Sequence, residues 1–353
     1  MMMAAGTGGH VFPALAVAKE LQQQGVQVSW LATPAGMENR LLKNHNIPIY
    51  QIDIQGVRGN GVVRKLLAPL KILKATLSAM RYMKQLNIDA VAGFGGYVAG
   101  PGGLAARALG IPVIIHEQNA IAGFTNTQLS RIAKTVCQAF PDTFAESAKI
   151  VTTGNPVRKE ITEILNPSWR YQEREKVAKP LQILIVGGSL GAQALNERVP
   201  EALKQLNVPM RIFHQCGQNH QDATQARYSD APVTLQVEVQ PFIEDMAKAY
   251  SDADLIICRA GALTVTEIAT AGVAAVFVPL PSAVDDHQTA NAKFLAGINA
   301  AKICPQASMT VDHLKELLTP LMNRQLLSEM AVKARQKAQP DATQHVVRLI
   351  QEL

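Results

Sequence analysis

The chain has 353 residues, 48% of them apolar, with 24 glycines, 19 prolines and a formal net charge of +6. At about 150 residues per domain this length predicts two domains, and the apolar share is enough for two cores, which excludes an intrinsically disordered chain. The four cysteines, Cys137, Cys216, Cys258 and Cys304, are too scattered for a disulfide framework or a zinc site and point to a reducing compartment. With 5% aromatics, and only Tyr82 interleaved in the basic run, nucleic acid is excluded as a partner.

The first apolar run, Met1 to Ala5, breaks into Gly6-Thr7-Gly8-Gly9-His10 ahead of a helical pattern. A strand that turns through glycines onto a helix start leaves N–H groups unpaired at the positive end of the helix dipole, which suits a phosphate. The same uncharged start runs to Ala18, but it has no basic leader and Gly6, Gly8, Gly9 and Pro13 interrupt it. A secretory leader is therefore not expected. Strands are predicted at Val26 to Leu31 and Ile47 to Ile52, and after the first of these the chain offers only Thr33 and Pro34, not the acid that a dinucleotide-binding dehydrogenase would need.

Between Ile54 and Ile88 stand Arg58, Arg64, Lys65, Lys71, Lys74, Arg81 and Lys84, with no Asp or Glu. That segment carries the whole positive excess. Within it Leu66, Leu70, Leu73, Leu77 and Met80 recur at helical spacing. One reading is an ordinary surface helix that buries this stripe on a sheet. The other is a helix for an anionic membrane surface, using Arg64, Lys65, Leu66, Leu70, Lys71, Leu73 and Lys74.

Strands at Ala90 to Gly93, Pro112 to His116 and Thr135 to Gln138 follow. The uncharged stretch Ala90 to Ala106 holds six glycines and Pro101, which excludes a membrane span. Its cluster Gly95 to Gly103 is either a second anion cradle or a loop whose glycines permit close packing. Asn155-Pro156 and the polar run Arg170 to Lys179, which carries no core signal, put the domain boundary between Gly154 and Pro180.

The second half repeats the alternation, with strands at Leu181 to Val186, Met210 to His214, Val233 to Val237, Leu255 to Cys258, Ala274 to Pro279 and Ala301 to Cys304. The fold class is α/β, with two doubly wound parallel sheets whose ligands lie beyond the carboxyl ends of the strands. A second glycine turn, Gly187-Gly188-Ser189-Leu190-Gly191-Ala192, lacks the Gly-Lys-Ser or Gly-Lys-Thr ending of a P-loop. In Cys258 to Glu267 a strand ends, Gly261 turns, and a helix start can hold a diphosphate, with Glu267 one turn on and able to accept ribose hydroxyls. Thr264 and Glu267 also have the spacing of a capping box. Asp285 to Asn291 offers short polar groups for sugar hydroxyls, while Asp252-Ala253-Asp254 precedes a strand and is read as structural, with no metal.

Taken together, Gly6 to His10, Gly95 to Gly103, His116-Glu117-Gln118-Asn119, Gly154 to Arg158, Gly187 to Ala192, Arg259 to Glu267 and Asp286-His287-Gln288 resemble the MurG family over essentially the whole chain. The resemblance implies a GT-B fold, with an acceptor and membrane domain at 1–158, a UDP-sugar domain at 159–339, and a last helix, about 340–353, packed back on the first domain. It implies inverting transfer of N-acetylglucosamine from UDP-N-acetylglucosamine to the 4-hydroxyl of the muramoyl sugar of lipid I, giving lipid II. No cofactor is implied. Donor contacts would be Thr7, Gly8, Gly9, Asn119, Arg158, Ser189, Ile243, Ala262, Leu263, Thr264, Val265, Thr266, Glu267 and Gln288, with Ile243 meeting uracil through its backbone and Glu267 the ribose. The acceptor diphosphate would meet Gly8, Gly9, His10, Gly95, Gly96 and Tyr97.

His10 is one candidate base, since an imidazole titrates near neutrality, and Glu117 is the other; His10 could equally hold only the acceptor diphosphate. The family implies a peripheral enzyme at the cytoplasmic face of the plasma (inner) membrane, working beside other cell-wall enzymes. Two features depart from the family pattern: Ala5 stands where a glycine is common, and the basic helix is aliphatic where aromatics are frequent. Rival readings are a glycosyltransferase acting on a diacylglycerol, a UDP-N-acetylglucosamine epimerase and a non-catalytic nucleotide-binding protein.

Overall fold

Parallel strands covered on both faces are built from near-continuous apolar runs, and two sheets of this kind carry the molecule. The computed structural model describes the chain apart from residues 55–61, 189–190 and 282–285 and the side chains of 62–67. The first sheet contains β1 (Met2–Ala4), β2 (Trp30–Ala32), β3 (Ile49–Gln51), β4 (Val91–Gly95), β5 (Val113–Glu117), β6 (Thr135–Gln138) and β7 (Ile150–Thr152), in the order β3-β2-β1-β4-β5-β6-β7. The second contains β8 (Leu181–Val186), β9 (Met210–Gln215), β10 (Leu235–Gln240), β11 (Leu255–Cys258), β12 (Ala274–Phe277) and β13 (Ala301–Ile303), in the order β10-β9-β8-β11-β12-β13. Every pairing is parallel.

The chain divides into two compact units, Met1–Arg158 with Gln339–Leu353, and Lys159–Ala338. In unit 1, Val11, Leu15 and Trp30 share a core with Val346 and Val347 of the helix Ala342–Gln351, and the opposite face of the sheet packs Met3, Leu31, Ile52, Ala79 and Ala105. In unit 2, Ile183, Ile185, Leu195, Ile212, Ile257 and Leu327 belong to one core. The strands β11 and β12 are buried along their whole length.

Several sequence expectations change, beginning with the strand expected from Val26 to Leu31, which is β2 at Trp30–Ala32 with Val26 exposed. The edge strand β7 had no sequence signal, being three residues long and only partly buried. The strand expected from Val233 to Val237 is β10, displaced to Leu235–Gln240, because a turn closed by Leu235 N–H to the Pro232 carbonyl at 2.9 Å holds the residues before it, and Val233 is 99% exposed. The run Arg170 to Lys179 is not a core-free linker. Most of it lies in the helix Pro167–Lys176, where Arg170 and Tyr171 are buried. The Arg170 guanidinium donates to the carbonyls of Ser251 (3.0 Å) and Gly272 (2.7 Å), which end two helices. An arginine that satisfies orphan helix carbonyls is a core residue despite its charge. Asp254 is structural as expected: it is buried, ion-paired with Arg174 and Arg324, and accepts from Gln182 N–H at 2.9 Å.

The basic helix, Val62–Gln85, buries a different face from the one the leucine stripe marks. Ala68, Ala75, Ala79 and Met83 form its buried face, while Leu70, Leu73 and Leu77 are 65%, 55% and 56% exposed. The leucine stripe therefore faces solvent beside exposed Lys71 and Lys74, and the reading in which it covers the sheet is overturned. This inner face of mostly small side chains packs against the helix Ala99–Leu109. Side chains of Arg64, Lys65 and Leu66 lie outside the described residues. Among the described residues no helix is long and apolar enough to cross a membrane.

Candidate active site

In an open parallel sheet the ligand crevice opens where the strand order reverses. Here the reversals fall between β1 and β4 and between β8 and β11. Gly6 to His10 follows β1, Gly95 to Gly103 begins at the end of β4, Gly187 to Ala192 follows β8, and Arg259 to Glu267 follows β11. All four segments singled out in the sequence thus border one of the two switch points.

In unit 1, Thr7 is the extended N-cap of the helix Gly8–Gln23 and makes no side-chain cap. Gly8 and Gly9 are its first residues, so their amides have no preceding helical carbonyl to bond. The His10 imidazole lies on the β4 turn: a Cβ on Gly95 would stand 2.8 Å from its Cδ2 and 3.0 Å from its Nε2. Gly96 lies on the Ala5 carbonyl oxygen, 2.1 Å from where its Cβ would be, and both glycines have positive φ, +107° and +80°. Close approach is therefore a sufficient reason for Gly95 and Gly96. His10 Nδ1 is 3.3 Å from the Ala5 carbonyl, so the tautomer that donates there carries its lone pair on Nε2. Tyr97 is 54% exposed on the same turn, and Arg158 is partly exposed at the end of the unit's first segment.

An acid does serve the end of β2, although the sequence showed none there. Glu38 is fully buried; its Oε1 accepts from the amide and hydroxyl of Thr33, each at 2.9 Å, and its Oε2 from Gly6 N–H at 3.4 Å. The carboxylate that a dehydrogenase would offer to a ribose is here spent on the protein's own glycine turn.

At the end of β5, Glu117 is 2% exposed and both its oxygens are occupied. Oε1 accepts from the Asn119 amide (3.0 Å) and side chain (3.2 Å), and Oε2 from Gly123 N–H (3.1 Å) and Asn126 Nδ2 (2.9 Å). Four donors hold this carboxylate as the organiser of residues 119–126, which disfavours it as the base. His116 beside it is buried and stacks on Phe94, with Nε2 at 2.9 Å from the Gly154 carbonyl and Nδ1 at 3.2 Å from Gln118 Nε2. Burial lowers its pKa to about 4, so it is neutral at pH 7.

In unit 2, the helix Ala262–Ala271 has Gly261 as an extended N-cap with no side-chain cap, so Thr264 and Glu267 do not form a capping box. Val265 N–H makes the first intrahelical bond, to Gly261 at 2.9 Å, leaving Ala262, Leu263 and Thr264 as the outward amides. Val265 itself is buried, and the Thr266 hydroxyl bonds back to Ala262 (3.1 Å) and Leu263 (3.0 Å). Both side chains thus make contacts within their own unit. Glu267 is 4% exposed and accepts from the Tyr250 hydroxyl at 3.0 Å. Gln288 Oε1 accepts from Ala260 N–H (3.2 Å) and Leu280 N–H (3.0 Å), bringing that glutamine to the Gly261 turn. Arg259 reaches the Val278 carbonyl and Gln306, and burial lowers its pKa. Ile243 is buried, and Ser189 lies outside the described residues. Sequence reasoning missed Glu38, Gln215 and Tyr250. For Gln215 a signal existed, since a polar side chain ending a strand buried in a parallel sheet must find partners.

Residues 1–138 match the model of the glycosyltransferase family 28 N-terminal domain, and residues 182–346 match that of its C-terminal domain. The crystal structure of Acinetobacter baumannii MurG superposes with a TM-score of 0.89 at 77% identity, covering 100% of this chain and 99% of that one. The chain belongs to the MurG family. An A. baumannii relative named UDP-N-acetylglucosamine--N-acetylmuramyl-(pentapeptide) pyrophosphoryl-undecaprenol N-acetylglucosamine transferase is 80% identical over 353 residues, which is 100% of this chain and 97% of the relative. A relative of the same name from Psychrobacter cryohalolentis is 52% identical over 99% of this chain and 97% of its own length. Membership of the MurG family makes the GT-B architecture and glycosyl transfer the chain's own, and sets aside the dehydrogenase, epimerase and purely binding readings.

Proposed function

We propose that the chain transfers N-acetylglucosamine from UDP-N-acetylglucosamine to the 4-hydroxyl of the muramoyl sugar of undecaprenyl-linked lipid I, forming lipid II. The observation that carries this reading is identity of 80% along the whole chain to a relative of that name. Both switch points also offer what the reaction needs. Unit 2 takes the donor: the amides of Ala262, Leu263 and Thr264 face the diphosphate, Glu267 the ribose and Ile243 the uracil. Unit 1 takes the acceptor diphosphate at Gly8, Gly9 and the β4 turn with Tyr97.

With inversion, one displacement suffices. The acceptor oxygen bonds to C1 of the sugar as the bond from C1 to the UDP oxygen breaks, and the hydroxyl proton passes to His10 Nε2. Negative charge developing on UDP meets the helix-start amides, the kind of preorganised donor that stabilises a leaving group without a metal. Glu117 positions the Asn119 loop. The exposed Leu70, Leu73 and Leu77 with Lys71 and Lys74 rest on the anionic cytoplasmic face of the membrane, where the lipid acceptor and other cell-wall enzymes are found.

The test is purified protein with UDP-N-acetylglucosamine and lipid I, following UDP release and the acceptor's mass. UDP release with one N-acetylglucosamine added to lipid I is expected. Release only with a diacylglycerol acceptor, or epimerised sugar nucleotide without any acceptor, would overturn the reading.

A further inference from the structure

Gln215 ends β9 next to β8 and is 3% exposed. Its carboxamide makes three hydrogen bonds. Oε1 accepts from Gly188 N–H at 3.0 Å, while Nε2 donates to the Gly188 carbonyl at 3.0 Å and to the Pro241 carbonyl at 2.9 Å. The two bonds to Gly188 close a ring like that of paired backbone amides. They add a rung just past the last register pair of the two strands, Val186 with Gln215. The bond to Pro241 reaches the loop that leaves β10, two residues before Ile243.

The surrounding backbone supports the same junction. The Pro241 carbonyl also accepts from Gly217 N–H at 3.2 Å, and Gly187 N–H donates to the Gln215 carbonyl at 3.2 Å. Gly191, at φ +77°, lies so close to the end of β9 that a Cβ there would stand 2.2 Å from the Cys216 carbonyl oxygen. One buried side chain thus joins the glycine turn of the second switch point to the segment carrying Ile243. A carboxamide can both accept and donate, which neither a carboxylate nor a thioether of similar length can do.

We infer that Gln215 is a positioning residue that ties the glycine turn after β8 to the base-reading loop, so that affinity for UDP and preference for uracil both depend on it. The inference rests on the reading of unit 2 as the UDP-sugar unit. Gln215→Met removes all three bonds at similar volume; Gln215→Glu keeps an acceptor for Gly188 N–H and loses both donations.

In both variants the KM for UDP-N-acetylglucosamine should rise about tenfold or more, since each lost bond leaves a backbone group unpaired. The KM for lipid I should stay within twofold, and the preference for UDP over CDP as inhibitor should fall about tenfold. A general loss of structure would instead move both KM values together and leave that preference intact. Equal UDP affinity and UDP-to-CDP preference in wild type and variants overturns the inference alone. Wild-type protein that fails to bind UDP overturns the functional reading and the inference with it. Should the variants not fold, hydrogen exchange of the wild type decides: the Gly188 amide should be protected like that of Gly187 without nucleotide, and rapid exchange at Gly188 overturns the inference.

Discussion

The two switch points share a topology and differ in what holds their glycine turns. Behind the first, a carboxylate, Glu38, accepts from Gly6 N–H; behind the second, a carboxamide, Gln215, both accepts from and donates to Gly188. The first turn is braced through a donor alone, while the second is braced through both groups of one residue. The neutral brace belongs to the unit assigned the UDP diphosphate, and the imidazole poised as base, His10, belongs to the other. Under the proposed function, one device holds a nucleotide in one unit and meets a reacting hydroxyl in the other.

The comparison breaks most readily at His10. His10→Ala should lower kcat by about 100- to 10,000-fold, the usual range for loss of general-base catalysis, with little change in UDP affinity measured by calorimetry. A variant that keeps turnover but loses UDP affinity would move the imidazole into the donor site and erase the division between units. A smaller effect is expected on the outer face of unit 1. Replacing Leu70, Leu73 and Leu77 by Ser should weaken partition onto anionic vesicles about 100-fold, at low and high salt alike. Lys71 and Lys74 changed to Gln should weaken it about tenfold at low salt only. Unchanged partition in both variants would remove the membrane role.

The smallest effect compares a buried histidine in each unit. Burial lowers the pKa of His116 to about 4 and that of His214 to about 3. Between about pH 6.5 and those values the unfolded chain takes up protons that the folded chain does not. Stability should therefore be lost as pH falls through this window, by about 1.4 kcal/mol per pH unit for each histidine. Denaturant unfolding of His214→Gln should show a shallower acid slope than wild type; an identical slope would mean that His214 protonates in the folded state.

How much of this could be read in the sequence depends on how each residue is buried. The strand Leu181–Val186 and the strand Leu255–Cys258 were legible to the residue because strands covered on both faces are continuous apolar runs. The three-residue edge strand β7 had no such run. In the helix Val62–Gln85 the larger apolar residues drew the inference, yet the buried face is made of Ala68, Ala75 and Ala79 with Met83. The glycine turns, the Arg259 to Glu267 helix start and the His10 loop were visible as local patterns. Glu38 was not, because its partners lie across a strand end and no local spacing betrays them, and Gln215 showed only as a polar residue ending a buried strand, without its partners. Glu117 was visible as an acid, but its four donors become apparent only when residues 119–126 fold around it.

Val346 and Val347 share a core with Val11, Leu15 and Trp30. The ribosome builds the chain from its N-terminus and lets domains fold as they emerge. Unit 2, Lys159–Ala338, has all its residues before the final helix is made. Unit 1 begins first and is completed last, so until residues 342–351 are synthesised the helix Gly8–Gln23, with the His10 turn at its start, lacks part of its packing.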